Sequence, residues 1–276
     1  MNSASMTFSA TGPLGHQWFP VACSADVQHA PAAVRLLGAN LVLWRSPSGA
    51  VVAAPDRCTH SKRVLSKGTV RDGALVCPKH GWTFGDDGHC VFKPSGLPIT
   101  ENAHLKTHPC EEHSGVIWVS MHDPASPVTE LVCDGGERYR RIHTGVSLWQ
   151  SNPVEIIEAL LGQADSPFDE VTADVPFIVH GAVKLDDGAE HRRMLACAPA
   201  DGRTSLVTAI VWNGSSADDN DAKIVGELLA DLDAVKRIAE QDGVTPSAVE
   251  IAFNDGEAKS VDWKRRLLAF VESANA

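Results

Sequence analysis

No stretch of this sequence approaches the roughly 20 consecutive apolar residues that a membrane-spanning helix requires. Its first residues, Met1 to Gly15, are rich in Ser and Thr and show neither a basic nor an apolar targeting segment. Both features predict a soluble, cytoplasmic protein with no membrane partner. Basic residues are also short: 24 Lys and Arg face 35 Asp and Glu, for a formal charge of −11. Phosphate recognition needs clustered Lys and Arg, so nucleic acid is excluded as a partner. The seven cysteines are an odd number without short framework spacing. That suits thiols and metal ligands, not a secreted disulfide scaffold. Neither an internal repeat nor a low-complexity tract is found. What remains is a globular chain of 276 residues, 43% hydrophobic, long enough for two ordinary domains.

From Gln17 to about His122, short β-type runs such as Trp18–Cys23, Leu41–Arg45, Ala50–Ala54 and Val116–Met121 alternate with Gly, Pro and Asp turns. This rhythm predicts a small antiparallel all-β domain over residues 16–122, preceded by a tail, 1–15. Asp123-Pro124-Ala125-Ser126-Pro127 places two prolines in five positions. Such a segment cannot continue a strand ladder, and it predicts a linker at 123–127. Residues 128–276 then mix a helix from Pro153 to about Ala164 with strands near Phe177–Leu185, Arg192–Ala198 and Ser205–Trp212, followed by two helices. The class is α+β. In the first of those two helices Ile224, Leu228, Leu232, Val235 and Ile238 recur at steps of three or four after an acidic start. In the second, Leu267, Leu268 and Val271 form the apolar side, and Arg265 and Arg266 read as solvated.

Two boxes carry the chemistry. Cys58-Thr59-His60 is followed, after sixteen residues, by Cys77-Pro78-Lys79-His80-Gly81-Trp82. Each box supplies one thiolate and one imidazole. A [2Fe–2S] cluster ligated by Cys58, His60, Cys77 and His80 has two Cys on one iron and two His on the other, and the neutral imidazoles raise its potential into the range of roughly −150 to +300 mV. Gly68, Gly73 and Gly81 give the loops backbone freedom. The alternative is a Cys₂His₂ zinc site, but zinc modules pair C-x₂₋₄-C with H-x₃₋₅-H, whereas each box here is mixed. The other cysteines, Cys23, Cys90, Cys110, Cys133 and Cys197, read as small buried hydrophobes.

Four ordered segments resemble the Rieske domain of the Rieske non-haem iron oxygenases, α-subunit type. They are Gln17-Trp18-Phe19-Pro20-Val21-Ala22, Asp56-Arg57-Cys58-Thr59-His60, Leu65-Ser66-Lys67-Gly68 and Cys77-Pro78-Lys79-His80-Gly81-Trp82-Thr83-Phe84. The chain departs from that pattern at Thr59, where the family often has Pro, and at Lys79, where it often has an aromatic. Respiratory Rieske proteins add a disulfide between the two loops, and Lys79 stands where one of its cysteines falls.

The resemblance implies that residues 128–276 form a shortened helix-grip (START-like) antiparallel sheet with helices, holding a mononuclear Fe(II) on two His and one carboxylate. The histidine pair is missing. In the best register Glu158 takes the place of the family's Asp, Leu161 that of the first His and Ser166 that of the second, and no histidine lies between His143 and His180. Asp242 resembles the later carboxylate ligand, although the sequence favours reading it as a helix-ending turn residue before Gly243. Glu158 matches the acid that, in the family, joins a cluster histidine of the neighbouring subunit to the iron. Its other reading is an exposed acid on an amphipathic helix. An alternative iron site would draw on His180 and His191 with Glu155, Glu158 or Asp242. No Lys or Arg lies between Arg141 and Lys184, while Glu155, Glu158, Asp165, Asp169, Glu170 and Asp174 accumulate. That patch reads as a solvated acidic face, or as one that steers a basic partner or holds a hard cation.

The leading expectation is an oxygenase-family subunit that keeps the cluster and lacks its own mononuclear iron. It takes single electrons from a reductase or ferredoxin and passes them to a catalytic oxygenase subunit, in a hetero-oligomer or a homotrimer. The alternatives are a complete mono- or dioxygenase with non-standard iron ligands, and a non-catalytic assembly or binding subunit.

Overall fold

In a computed structural model the described residues are 4–96, 98–128, 139–162, 168, 170–184, 190–214, 221–241, 248–251 and 258–273. The strands in chain order are β1 (Ala4–Thr7), β2 (Phe19–Cys23), β3 (Ala32–Leu36), β4 (Ala39–Arg45), β5 (Val51–Pro55), β6 (Thr69–Arg71), β7 (Ala74–Val76), β8 (Thr83–Phe84), β9 (Cys90–Phe92), β10 (Cys110–His113) and β11 (Val116–Val119). There follow β12 (Arg140–Trp149), α1 (Pro153–Leu161), β13 (Glu170–Asp174), β14 (Ile178–Lys184), β15 (Glu190–Pro199), β16 (Ser205–Asn213), α2 (Asp221–Ala239), β17 (Ala248–Ile251) and α3 (Ala258–Ser273). The chain divides into two units, residues 15–128 and residues 1–14 with 129–276.

The first unit contains three antiparallel sheets, ordered β10-β11-β2, β3-β4-β5 and β6-β7-β8-β9. Three of its hairpins close through two-residue turns, Leu37-Gly38, Asp72-Gly73 and Ser114-Gly115, with positive φ at both positions. This is the turn whose twist matches that of the flanking strands. Trp44, Leu65, Leu75 and Phe84 are fully buried and pack in one core with Cys58 and Cys77, so the ligand thiols emerge from the hydrophobic centre itself. The expected linker lies against the start of this unit. Asp123 O is 2.8 Å from His16 Nδ1, Trp18 Nε1 donates to Ser126 O, and Ala125 N donates to His16 O.

The second unit is built on one antiparallel sheet of five strands, ordered β12-β16-β15-β14-β13, with three helices among the described residues. Helix α1 starts where Asn152 accepts from the Glu155 N–H through its side chain at 3.0 Å and Pro153 fills the first turn. In α2, Ile224, Leu228, Leu232 and Val235 are buried, but Ile238 is 45% exposed. The apolar side thus ends one turn earlier than the periodicity predicts. Arg266, expected in solvent, donates to Ala173 O at 2.7 Å and pairs with Asp262.

Within the expected tail at 1–15, the described residues 4–8 are held by strand pairing and burial. Strand β1 pairs antiparallel with β17, from Ala4↔Ile251 to Thr7↔Ala248. Met6 and Phe8 are buried, and the Phe8 ring lies 6.2 Å from that of Phe177. Among the described residues no helix is long and apolar enough to cross a membrane.

Candidate metal centre

The two boxes fold into loops of matching hydrogen bonding. In the first, Cys58 N donates to Arg63 O and Lys62 N donates back to Cys58 O; in the second, Cys77 N donates to Trp82 O and Gly81 N donates back to Cys77 O. The residue that closes each loop, four beyond its cysteine, has a left-handed backbone: Lys62 at φ 57° and Gly81 at φ 65°. Asp56 braces the first loop, accepting from Ser66 N and Ser66 Oγ at 2.6 Å each. Gly68 allows the loops to close on each other, since a Cβ there would stand 2.1 Å from Val76 O and 3.2 Å from Pro78 Cδ.

Cys58 and Cys77 are buried while His60 and His80 are exposed. Burial works against ionisation of Cys77. Hydrogen bonds from the Lys79 backbone, Ser61, Cys58 and the His80 backbone outweigh it and bring the thiol below its ordinary range. Desolvation first, then the charges of Lys79, His60 and Arg63, hold the His80 pKa down, which favours the neutral imidazole a metal takes. The two imidazoles lie 5.0 Å apart between centroids. His60 also stacks on Trp82, over whose ring stands Lys93 Nζ, 4.3 Å from the centroid. The sequence offers no signal for Lys93, whereas Asp56, Ser66 and Trp82 fall within the segments that carry the family resemblance.

This donor set fits a [2Fe–2S] cluster. Among the described residues no three His, Cys, Asp or Glu side chains converge as tetrahedral zinc requires. A two-iron cluster asks only for pairs, because sulfides complete each iron. The pairs are unlike in the required way, buried thiols and exposed imidazoles. Of the remaining cysteines, Cys23, Cys90 and Cys197 are buried, and burial pushes half-buried Cys110 up to about 12. Cys133 lies outside the described residues.

The alternative iron site is not assembled. His180 pairs across strands with Met194, and His191 with Val183. The odd offset of three residues between Val183 and His180 puts the two imidazoles on opposite faces of the sheet. His191 shares its face with Arg193, which reaches Asp231 of α2. His143 and His180 do share a face, through the row His143↔Ile210↔Met194↔His180. Three strand spacings, roughly 14 Å, and two buried hydrophobic side chains separate them.

The acids are likewise engaged. His180 Nε2 lies 2.9 Å from Asp174 Oδ2, which holds the Asp174 carboxyl below its ordinary range. Glu155 Oε2 accepts from Ser151 Oγ at 2.7 Å, and Glu158 pairs with Lys264 of α3. Leu161, at the place of the family's first histidine, is buried. Ser166, Asp165, Asp169 and Asp242 lie outside the described residues.

Comparison with known proteins bears on both units. The family model for the Rieske [2Fe-2S] domain matches residues 17–108. The 3-chlorobenzoate-3,4-dioxygenase oxygenase subunit of Comamonas testosteroni is 38% identical over 115 residues, 40% of this chain and 27% of that protein. The methylxanthine N1-demethylase NdmA of Pseudomonas putida is 36% identical over 126 residues, 43% of this chain and 35% of that one. The chain thus spans less than half the length of these curated relatives. A solved structure of a Pseudomonas putida NdmA mutant with caffeine superposes at a TM-score of 0.77, covering 94% of this chain and 90% of that one. At 21% identity this likeness is one of fold.

Proposed function

Because this chain belongs to the Rieske non-haem iron oxygenase family, we propose that it is the family's electron-relaying subunit without a mononuclear iron of its own. Cys58 and Cys77 hold one iron of the cluster and His60 and His80 the other. When bound, the cluster accepts and releases one electron at a time. The chain's own residues tune and expose it. Ser61 and the backbone N–H groups of Lys79 and His80 support the Cys77 thiolate, the buried thiols keep water from the sulfur side, and the exposed imidazoles present the other iron to partners.

One observation carries the reading: no two of the second unit's three histidines can meet at one metal. His191 lies on the opposite sheet face from His180 and His143, and those two stand three strands apart. A two-histidine, one-carboxylate site needs such a pair. The partners of such a relay are a reductase or ferredoxin on one side and an oxygenase subunit bearing a complete iron site on the other, all in the cytoplasm. Iron per chain together with EPR of the reduced protein tests the proposal. Two irons per chain, a Rieske signal and O₂-dependent turnover only after an iron-bearing partner subunit is added are expected. A third iron per chain with turnover by this chain alone overturns it.

A further inference from the structure

The chain as a whole is acidic, yet between Arg57 and Lys79 the balance inverts: Arg57, Lys62, Arg63, Lys67, Arg71 and Lys79 stand against Asp72 alone. All seven are exposed. Asp56, the next acid before this stretch, accepts from both Ser66 N and Ser66 Oγ. Among the described residues no ion pair joins Arg63, Lys67 or Lys79 to a carboxylate.

Three of these bases converge. Arg63, Val64, Lys67, Pro78 and Lys79 line a cleft of about 380 Å³. The first three follow His60 in one ligand loop and the last two precede His80 in the other, so both ligand loops build the cleft. Val64, 42% exposed, adds an apolar side chain to the lining. A net negative chain repels an acidic protein over most of its surface, and a concentrated positive cleft attracts it at one place. Such a distribution steers an acidic partner and fixes its orientation.

We propose that this cleft docks an acidic one-electron carrier protein of the [2Fe–2S] ferredoxin class, seating it against the His60 and His80 edge. The inference rests on the relay reading in one respect, that a protein donor reduces the cluster. The step moves one electron: the ferredoxin is oxidised, the oxidised cluster is reduced, and no bond or proton is exchanged. It runs downhill, because imidazole ligation sets a Rieske centre well above plant-type ferredoxins in potential.

The test uses the full cluster-loaded chain with an acidic plant-type [2Fe–2S] ferredoxin. Its readouts are the Kd of the oxidised proteins and the stopped-flow rate of cluster reduction by photoreduced ferredoxin, with dithionite as a donor that needs no docking. At low ionic strength Arg63→Glu with Lys67→Glu should weaken binding and slow reduction by about tenfold or more. The salt dependence of the rate should flatten or reverse. Visible circular dichroism and the dithionite rate should stay as in the parent. Arg63→Gln with Lys67→Gln should fall between the two, and Lys106→Glu, on another exposed surface, should change the rate less than twofold.

Unchanged ferredoxin kinetics in the double reversal overturn the proposal. So does equal slowing by Lys106→Glu, which makes the effect one of net charge, or a changed oligomeric state in the double reversal, which makes the cleft a contact between copies. Turnover with the partner subunit is read separately. Its absence alongside charge-dependent ferredoxin kinetics counts against the relay and leaves the docking surface standing.

Discussion

His60 and Trp82 lie face to face, their ring centroids 4.3 Å apart and their planes within 5°. The Lys93 ammonium stands over the same indole and is tied to Pro98 O at 2.9 Å. Two groups cannot both occupy the space over the ring centre on one side, so Trp82 separates a ligand imidazole from a buried cation. Lys93 belongs to the environment of the cluster without touching a ligand.

Replacing Lys93 by Met keeps the packing and removes the charge. A reduced cluster carries one more negative charge than an oxidised one, so losing a nearby cation disfavours reduction. The midpoint potential should fall by tens of millivolts, on the scale of about 59 mV per tenfold change for one electron. A redox titration followed by circular dichroism measures it.

At Gly68 any side chain meets the backbone, with a Cβ 2.1 Å from Val76 O and 2.9 Å from Leu65 O. Gly68→Ala must push apart the loop after the first box and the strand that leads into the second. The expected cost is about 2–4 kcal/mol. Iron content and the visible absorbance of the purified variant should fall together.

Arg45 links three parts of the first unit, donating to Val27 O, to Gly49 O and to both carboxylate oxygens of Glu112. The bidentate pair holds the Glu112 carboxyl below its ordinary value. A carboxyl depressed in the folded state contributes stability above its unfolded pKa of about 4.3, and loses it as pH falls through the lower native value. Arg45→Met should therefore lower Tm at pH 7, and thermal melts of parent and variant should draw together below pH ~4.

Glu158 pairs with Lys264, whose side chain is 12% exposed and whose pKa is pushed down by burial. Removing the carboxylate leaves that ammonium without its partner. Glu158→Gln should lower Tm by a few degrees, by roughly 1–2 kcal/mol for a half-buried pair. Lys264→Met with Glu158→Gln should recover part of the loss. Ferredoxin-driven cluster reduction should be unchanged in both, because neither residue lines the basic cleft.

The ligand loops were legible in the sequence because a mixed Cys/His box constrains four residues within short windows, and the all-β character of the first unit because Gly, Pro and Asp turns punctuate its short β-type runs. What escaped depends on distance. The pairing of Ala4–Thr7 with Ala248–Ile251 joins segments more than 200 residues apart, and nothing in either segment names the other. The periodicity of α2 extends to Ile238, but the packing it predicts stops at Val235. Periodicity records which side of a helix is apolar, not where the surface beneath it ends. The alternative iron site failed for a similar reason. Adjacent strands bring His180 and His191 near in topology, and only the register reveals that they point apart.

The partnership of β1 with β17 also sets an order of events during synthesis. Residues 4–7 are synthesised some 240 residues before their partner strand. Residues 15–128 are complete long before then, with all four cluster ligands and their core among them. The cluster-bearing unit can therefore fold and receive its iron while β1 still waits for β17, and that pairing closes only once residues 248–251 have been made.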